Sequence, residues 1–117
     1  MASPDLLRHR LLDLHKALID AERREHEKTL GRLSGGEFLE ALIKDPVFAW
    51  LAPLTGAIAR LDELADEGEA QVDARAIREL LAPTASRGEF QRRYGDFLQR
   101  SPEVLVAHGA VLRALKA

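Results

Sequence analysis

The sequence predicts an all-α fold, a four-helix-type bundle with one or two extra short helices. Length, composition and the spacing of leucines near the N-terminus carry this prediction. A chain of 117 residues is the size of one ordinary domain, so we expect a single helical domain over residues 1–117. Its residues are 46% hydrophobic and 31% charged but only 5% aromatic, which favours a helical protein with a charged surface over a β-sandwich or a disordered chain.

Charge and cysteine content exclude several classes of function. The net charge of -2 and the pI near 6.1 are too balanced for electrostatic capture of nucleic acid or of an anionic membrane. The chain has no cysteine, which excludes disulfides, cysteine nucleophiles and iron–sulfur clusters. The first residues lack the basic start and apolar core of a signal peptide, so we expect a cytoplasmic protein with no membrane partner.

The first helix is predicted from Pro4 to about Leu30. Ser3 is a suitable N-cap, proline is favoured at the first helical position, and Gly31 offers a stop. Its apolar residues are spaced alternately by four and three, which places them on one side of a helix. This stripe consists of Leu7, Leu11, Leu14, Leu18 and Ala21, and the sector is broadened by Leu12 and Ile19.

A second, short helix is predicted after Ser34. The segment from Ser34 to Glu37 has the form of a capping box, in which the two side chains satisfy each other's backbone amides. Asp45 and Pro46 end this helix and begin the next, because the residue before a proline avoids the helical region. The apolar residues of the short helix are Phe38, Leu39, Leu42 and Ile43.

The third helix is predicted from Pro46 to Ala65, kinked or briefly broken near Pro53. Residues 47–59 carry no charge on any side, a pattern that normally means burial all round. We therefore expect a central hydrophobic helix, from Val47 to Leu61, wrapped by the amphipathic helices. The uncharged stretch is too short to span a bilayer.

An acidic connector follows, and Asp73 is predicted to cap a fourth, short helix that Pro83 ends. A second capping box, from Ser86 to Glu89, is predicted to start a fifth helix, and Ser101 with Pro102 to start the last one. The expected core residues are Ile77, Leu80 and Leu81 on the fourth helix, Phe90, Tyr94, Phe97 and Leu98 on the fifth, and Val104, Leu105, Val111, Leu112 and Leu115 on the last.

A metal-binding bundle core is not favoured. Di-iron bundle proteins use Glu-x-x-His pairs, whose glutamate stands three residues before the histidine. The residues three before His9, His15, His26 and His108 are Leu6, Leu12, Arg23 and Leu105. We therefore expect no metal and no cofactor.

Three polar residues, His15, Glu22 and His26, run along the apolar sector of the first helix. Glu22 and His26 are four residues apart, so they share a face, and a carboxylate beside an imidazole favours the charged ring. They are candidates for a ligand pocket or an acid–base pair. The alternative is a partly exposed salt bridge at the helix end.

His108 lies in the middle of the apolar face of the last helix, so its ring is expected to face the core, where it must find partners. If His15, Tyr94, His108 and the indole N–H of Trp50 converge, they form a polar cluster that binds a small molecule or transfers protons. The alternative is a structural histidine, with Trp50 and Tyr94 acting as core anchors.

Nucleic-acid binding and catalysis find little support. Arg87, Arg92, Arg93 and Arg100 make the fifth helix locally basic, as in a helix-turn-helix protein. The helix offers few base-reading groups beyond Gln91 and Gln99, however, and the chain is acidic overall, so we expect solvated arginines. The sequence has neither a Gly-x-Ser-x-Gly elbow nor a phosphate loop, so no motif favours an enzyme.

Three segments together resemble a family of small, uncharacterised bacterial helical proteins. The segments are His15-Lys-Ala-Leu-Ile-Asp-Ala-Glu-Arg23, Asp45-Pro-Val-Phe-Ala-Trp-Leu-Ala-Pro-Leu54, and Phe90-Gln-Arg-Arg-Tyr94 with Ser101-Pro-Glu-Val-Leu-Val-Ala-His108. The most specific of them is the Asp-Pro-x-Phe-Ala-Trp-Leu-x-Pro-Leu run. The resemblance implies a bacterial cytosolic setting, and it transfers no activity, cofactor or catalytic residue to this chain.

Two functions are compatible with this sequence. The first is a non-enzymatic interaction protein, a homodimer or the partner of another protein, because the apolar sector of the first helix is broader than one packing stripe requires. The second is a small-molecule-binding or catalytic domain that uses His15, Trp50, Tyr94 and His108 around an internal cavity.

Overall fold

The computed structural model describes residues 4–44, 46–66, 74–82 and 88–116. Within these ranges the chain forms α-helices and one 3₁₀ helix, and no strand, which confirms the all-α prediction. The helices are α1 (Pro4–Leu30), α2 (Gly35–Lys44), α3 (Ala52–Asp66), α4 (Ala74–Leu80), α5 (Glu89–Arg100) and α6 (Pro102–Lys116), and the 3₁₀ helix is Pro46–Leu51.

Helix α1 has the bounds that the sequence predicts, Pro4–Leu30. It ends at Gly31, whose φ of 85° lies in the left-handed region that glycine enters without strain. The N–H of Gly31 donates to the carbonyl of Glu27 at 2.9 Å, which satisfies one of the last carbonyls of the helix. The predicted N-cap, Ser3, lies outside the described residues.

The apolar stripe of α1 forms the middle of the core. Its four leucines, Leu7, Leu11, Leu14 and Leu18, are each 0% exposed. Helix α6 packs along one side of this stripe and α3 along the other. Both run antiparallel to α1, because Arg24 near the end of α1 pairs with Glu103 at the start of α6, while Arg8 near the start of α1 pairs with Asp62 late in α3.

The prediction that residues 47–61 form a central helix buried on all sides is wrong. The segment is a 3₁₀ helix that continues directly into α3, and the change of helix type between Leu51 and Ala52 lies next to Pro53, where a kink or break was predicted. Its large side chains point inward, while the outward side consists of residues too small to require burial, so the absence of charge did not mean burial. The buried side chains are Phe48, Trp50, Leu51, Leu54, Ile58 and Leu61, and the exposed residues include Ala49, Ala52, Pro53, Gly56 and Ala59.

Helix α2 begins with the predicted capping box. The Ser34 hydroxyl accepts a hydrogen bond from the Glu37 N–H at 3.2 Å, and the Glu37 carboxylate accepts one from the Ser34 N–H at 3.1 Å. The helix rests on the 3₁₀ segment, where the Phe38 and Phe48 rings meet edge to face at 5.9 Å. None of its residues is fully buried, and Leu39 and Ile43 are 61% and 76% exposed.

Ser101 joins α5 to α6. Its N–H donates to the carbonyl of Phe97, which ends α5, and its hydroxyl accepts from the N–H of Val104, which starts α6 as predicted. Helix α5 begins at Glu89, with Gly88 as its N-cap and no hydrogen bond from a capping side chain. The prediction that Glu89 is the third helical residue of a capping box is therefore wrong. Asp73, Pro83 and Ser86 lie outside the described residues.

The predicted core is confirmed except at its margins. Ile77, Leu81, Phe90, Tyr94, Phe97, Val104, Val111 and Leu115 are buried, and Leu80, Leu98 and Leu112 pack against them. Leu12 and Leu105 are exceptions, being 43% and 54% exposed. Leu105 follows the buried Val104 directly, and one residue turns a helix by about 100°, which carries its side chain out of the core.

No single helix among the described residues is long and apolar enough to cross a membrane. Taken together, α2 and residues 48–63 reach that length and apolarity, with a bend of 68° between them.

Candidate functional site

The predicted polar cluster forms in part, at Tyr94 and His108. The Tyr94 hydroxyl lies 2.5 Å from Nδ1 of His108, and the two ring centroids are 5.5 Å apart. Burial lowers the pKa of His108 and raises that of Tyr94, so both side chains are neutral near pH 7. A neutral ring with its proton on Nε2 leaves Nδ1 free to accept the phenolic proton.

Trp50 reaches this pair only through other aromatic rings. Its indole stacks on Phe97 at 5.8 Å with an interplanar angle of 9°, and it lies 5.6 Å from Phe90, which in turn stacks on Tyr94 at 5.5 Å. The Trp50 Nε1–H is buried and has no hydrogen-bond partner among the described residues. An unsatisfied buried donor is destabilising by about 1–3 kcal/mol, so it marks a position where an acceptor is favoured.

His15 takes a different partner. Its Nε2 lies 3.1 Å from Oγ1 of Thr55 on α3, and the Thr55 hydroxyl donates to the carbonyl of Leu51 at 3.2 Å. Because the single hydroxyl proton is used there, Nε2–H of His15 is the donor to Oγ1. Burial lowers the pKa of His15. The bond to Thr55 joins α1 to α3, and no hydrogen bond or ring contact in the described part joins His15 to Tyr94 or His108.

Glu22 lies in a cleft between α1 and α5 that His26 does not line, although His26 is near enough for its charge to act on Glu22. Its side chain is 5% exposed, and its Oε1 lies 3.4 Å from Nη1 of Arg93 on α5. Burial raises the pKa of Glu22, and the positive charge of Arg93 opposes that effect. The cleft, of about 440 Å³, holds further ion pairs such as Glu25 with Arg100 at 3.7 Å. Its charged groups largely neutralise each other across the helix interface.

His26 lies next to the 3₁₀ segment, where its ring is 6.5 Å from that of Phe48. Glu22 therefore reaches across to α5, whereas His26 lies against residues that precede α3. No three His, Asp or Glu side chains in the described part are placed to hold a metal ion.

Two surface features escaped the sequence analysis. The first is the uncovered face of α2 around Leu39 and Ile43. The second is a groove of about 420 Å³ where the start of α1 meets the end of α6. The groove, called here the α1–α6 groove, is lined by Leu6, Arg10, Ala110, Arg113 and Ala114.

Comparison with protein-family models, with curated proteins and with solved structures finds no match to this chain.

Proposed function

We propose that this chain is a non-enzymatic interaction module that associates with protein through the uncovered face of α2. The observation that carries the proposal is the burial of α2: none of its residues is fully buried, while Leu39 and Ile43 are 61% and 76% exposed. Exposed apolar side chains on the same helical face are typical of surfaces that dock another protein.

The energetics of α2 favour such a role. A helix of 10 residues is marginal in water without tertiary packing, and α2 is anchored mainly through Phe38 and Leu42, which are partly buried. Leu39 and Ile43 are four residues apart and lie one above the other on the helix. Complete burial of such a side chain is favourable by roughly 1.5–3 kcal/mol. A partner that covers Leu39 and Ile43 would therefore stabilise α2.

Self-association provides the direct test. We expect the mass of the wild-type protein, measured by light scattering, to rise with protein concentration, and the Ile43→Glu variant to remain monomeric. Leu105→Glu is the matched control, because Leu105 is also an exposed aliphatic residue, 54% exposed, but lies on α6. Circular dichroism checks that each variant is folded. A wild-type chain that stays monomeric at all concentrations and co-purifies with no other protein contradicts the proposal.

The second candidate function is small-molecule binding at the Trp50 indole, which the Phe90 ring separates from Tyr94 and His108. It is supported by the unpartnered Nε1–H of Trp50, a buried donor that a ligand oxygen would satisfy. His15 is not part of this candidate site, because it bonds to Thr55. Acetamide and acetate are suitable probes, and a rise in unfolding temperature that is lost in Trp50→Phe would support it. Equal behaviour of the two proteins would count against it.

A further inference from the structure

The α1–α6 groove has a defined chemical preference. Three of its lining residues, called here its floor, are apolar: Leu6, Ala110 and Ala114. The other two, called here its rim, are the exposed Arg10 and Arg113. Arg10 contacts the exposed Asp13 at 3.4 Å, while Arg113 forms no ion pair with any described residue. Among the described residues no carboxylate lines the groove, although the chain as a whole has a net charge of -2. The groove therefore fits an apolar segment that carries negative charge.

Helix α2 has the complementary chemistry. Leu39 and Ile43 present two large apolar side chains one turn apart, and Glu37 and Glu40 are exposed carboxylates on the same helix. Glu40 contacts Lys44 at 3.2 Å, but both side chains are well exposed, so this surface pair is weak and its carboxylate is open to a second cation. An amphipathic helix that lays its apolar face into a groove is a common mode of protein recognition.

The two surfaces cannot meet within one molecule. Phe38 of α2 packs under the Arg23 guanidinium at 4.1 Å, near the end of α1, whereas the groove contains Leu6 and Arg10 near its start. At 1.5 Å per residue, the distance along α1 from Arg10 to Arg23 is about 20 Å. The helix that fills the groove must therefore come from a second molecule.

We propose that the α1–α6 groove receives α2 of a second copy of this chain, so that copies associate head to tail. This rests on the proposed function, in which α2 is the docking face. The contact is heterologous: Leu39 and Ile43 of one copy lie on the groove floor of the next, and Glu40 pairs with Arg113. Each dimer leaves one groove and one α2 face free, so association continues as concentration rises unless the copies close into a ring.

The test uses two variants that each damage one surface. Ile43→Glu places a charge on the docking face, and we expect it to weaken self-association on the order of 10- to 100-fold. Arg113→Glu reverses the charge at the groove rim, and we expect it to weaken self-association about tenfold or more. Arg92→Glu is the matched control, since Arg92 is exposed, forms no ion pair with a described residue and lies outside the groove.

Mixing the two variants distinguishes the possible interfaces. In an equimolar mixture, the intact α2 of Arg113→Glu meets the intact groove of Ile43→Glu, and we expect a 1:1 complex of twice the monomer mass that does not extend further. Two monomers in the mixture would overturn the inference. If Ile43→Glu is monomeric while Arg113→Glu associates like wild type, the groove proposal is wrong and α2 remains the docking face. A monomeric wild type overturns the inference that copies associate, whereas the proposed docking role of α2 fails only if no other protein binds that face.

Discussion

Tyr94 on α5 and His108 on α6 are joined by a hydrogen bond of 2.5 Å between the phenol and Nδ1. Tyr94 is fully buried, so this bond fixes how the two last helices pack. The sequence predicts this bond only in part. Helical spacing places both residues toward the core, but the sequence around each residue does not identify the other as its hydrogen-bond partner.

Removal of the Tyr94 hydroxyl tests this bond. In Tyr94→Phe the ring stays and Nδ1 of His108 loses its donor, so we expect the free energy of unfolding to fall by about 1–3 kcal/mol. Urea unfolding followed by circular dichroism measures the change. Tyr94→Phe combined with His108→Leu is the control, and the double variant is expected to lose less than the sum of the two single losses. Additive losses would show that the two side chains are energetically independent.

Glu22 gives a prediction about pH. Burial raises its pKa in the folded chain, so the folded state binds this proton more tightly than the unfolded state does. Its contribution to stability is therefore fully present below the unfolded pKa and is lost as pH rises through the folded one. We expect Glu22→Gln to abolish this pH-dependent loss of stability. Relative to wild type, the free energy of unfolding of the variant should be equal or higher at pH 7 and should decrease as the pH is lowered into the acid range.

The measurement for Glu22 is the difference in unfolding free energy between variant and wild type over a pH series. Glu37 and Glu103 have lowered pKa values, because each carboxylate accepts local hydrogen bonds, and they act in the opposite direction. They are present in both proteins and cancel in the difference. Glu63→Gln, which changes an exposed carboxylate paired with Arg60, is the matched control for the loss of a glutamate charge. A marked loss of stability in Glu22→Gln at pH 7 would contradict the prediction.

Removal of the two serine caps should destabilise different parts of the molecule. Ser34→Ala removes half of a capping box on α2, which has no fully buried residue, so we expect faster amide exchange in α2 with little change in global stability. Ser101→Ala removes a cap on α6, which carries core residues, and we expect a global loss of about 1 kcal/mol. Hydrogen exchange and urea unfolding measure the two effects. Equal global losses would show that α2 unfolds together with the core.

Neighbouring leucines of α1 should respond differently to truncation. Leu11 is 0% exposed, and Leu11→Ala is expected to lower stability by roughly 2–5 kcal/mol. Leu12 is 43% exposed, and Leu12→Ala should stay within about 0.5 kcal/mol. Thermal or urea unfolding of the two variants checks the assignment of faces. Similar losses would mean that the side of α1 bearing Leu12 is also covered.

Local patterns were the predictable part of this fold. The leucine spacing of α1, the stop at Gly31 and the box formed by Ser34 and Glu37 each depend on residues a few positions apart, and all three are confirmed. The prediction for the uncharged stretch near Trp50 is wrong because its outward side is made mostly of alanine, glycine and proline, which carry no charge but are tolerated in water.

The sequence identifies candidate site residues but does not predict which residues they contact. His15 bonds to Thr55 across 40 residues of sequence, and Glu22 contacts Arg93 across 71. Such partners are set by which helices pack together and in which direction, and one-dimensional periodicity does not contain that information. The same limit hid the α1–α6 groove, whose two walls come from opposite ends of the chain.

Hydrogen exchange measured at low and at high protein concentration tests the docking role of α2 most directly. We predict that amides of α2, and those of α6 around Ala110 and Arg113, exchange more slowly at the higher concentration, while the exchange of α3 is unchanged. Identical exchange of α2 at both concentrations would contradict the assignment of its exposed leucine and isoleucine to a contact between molecules.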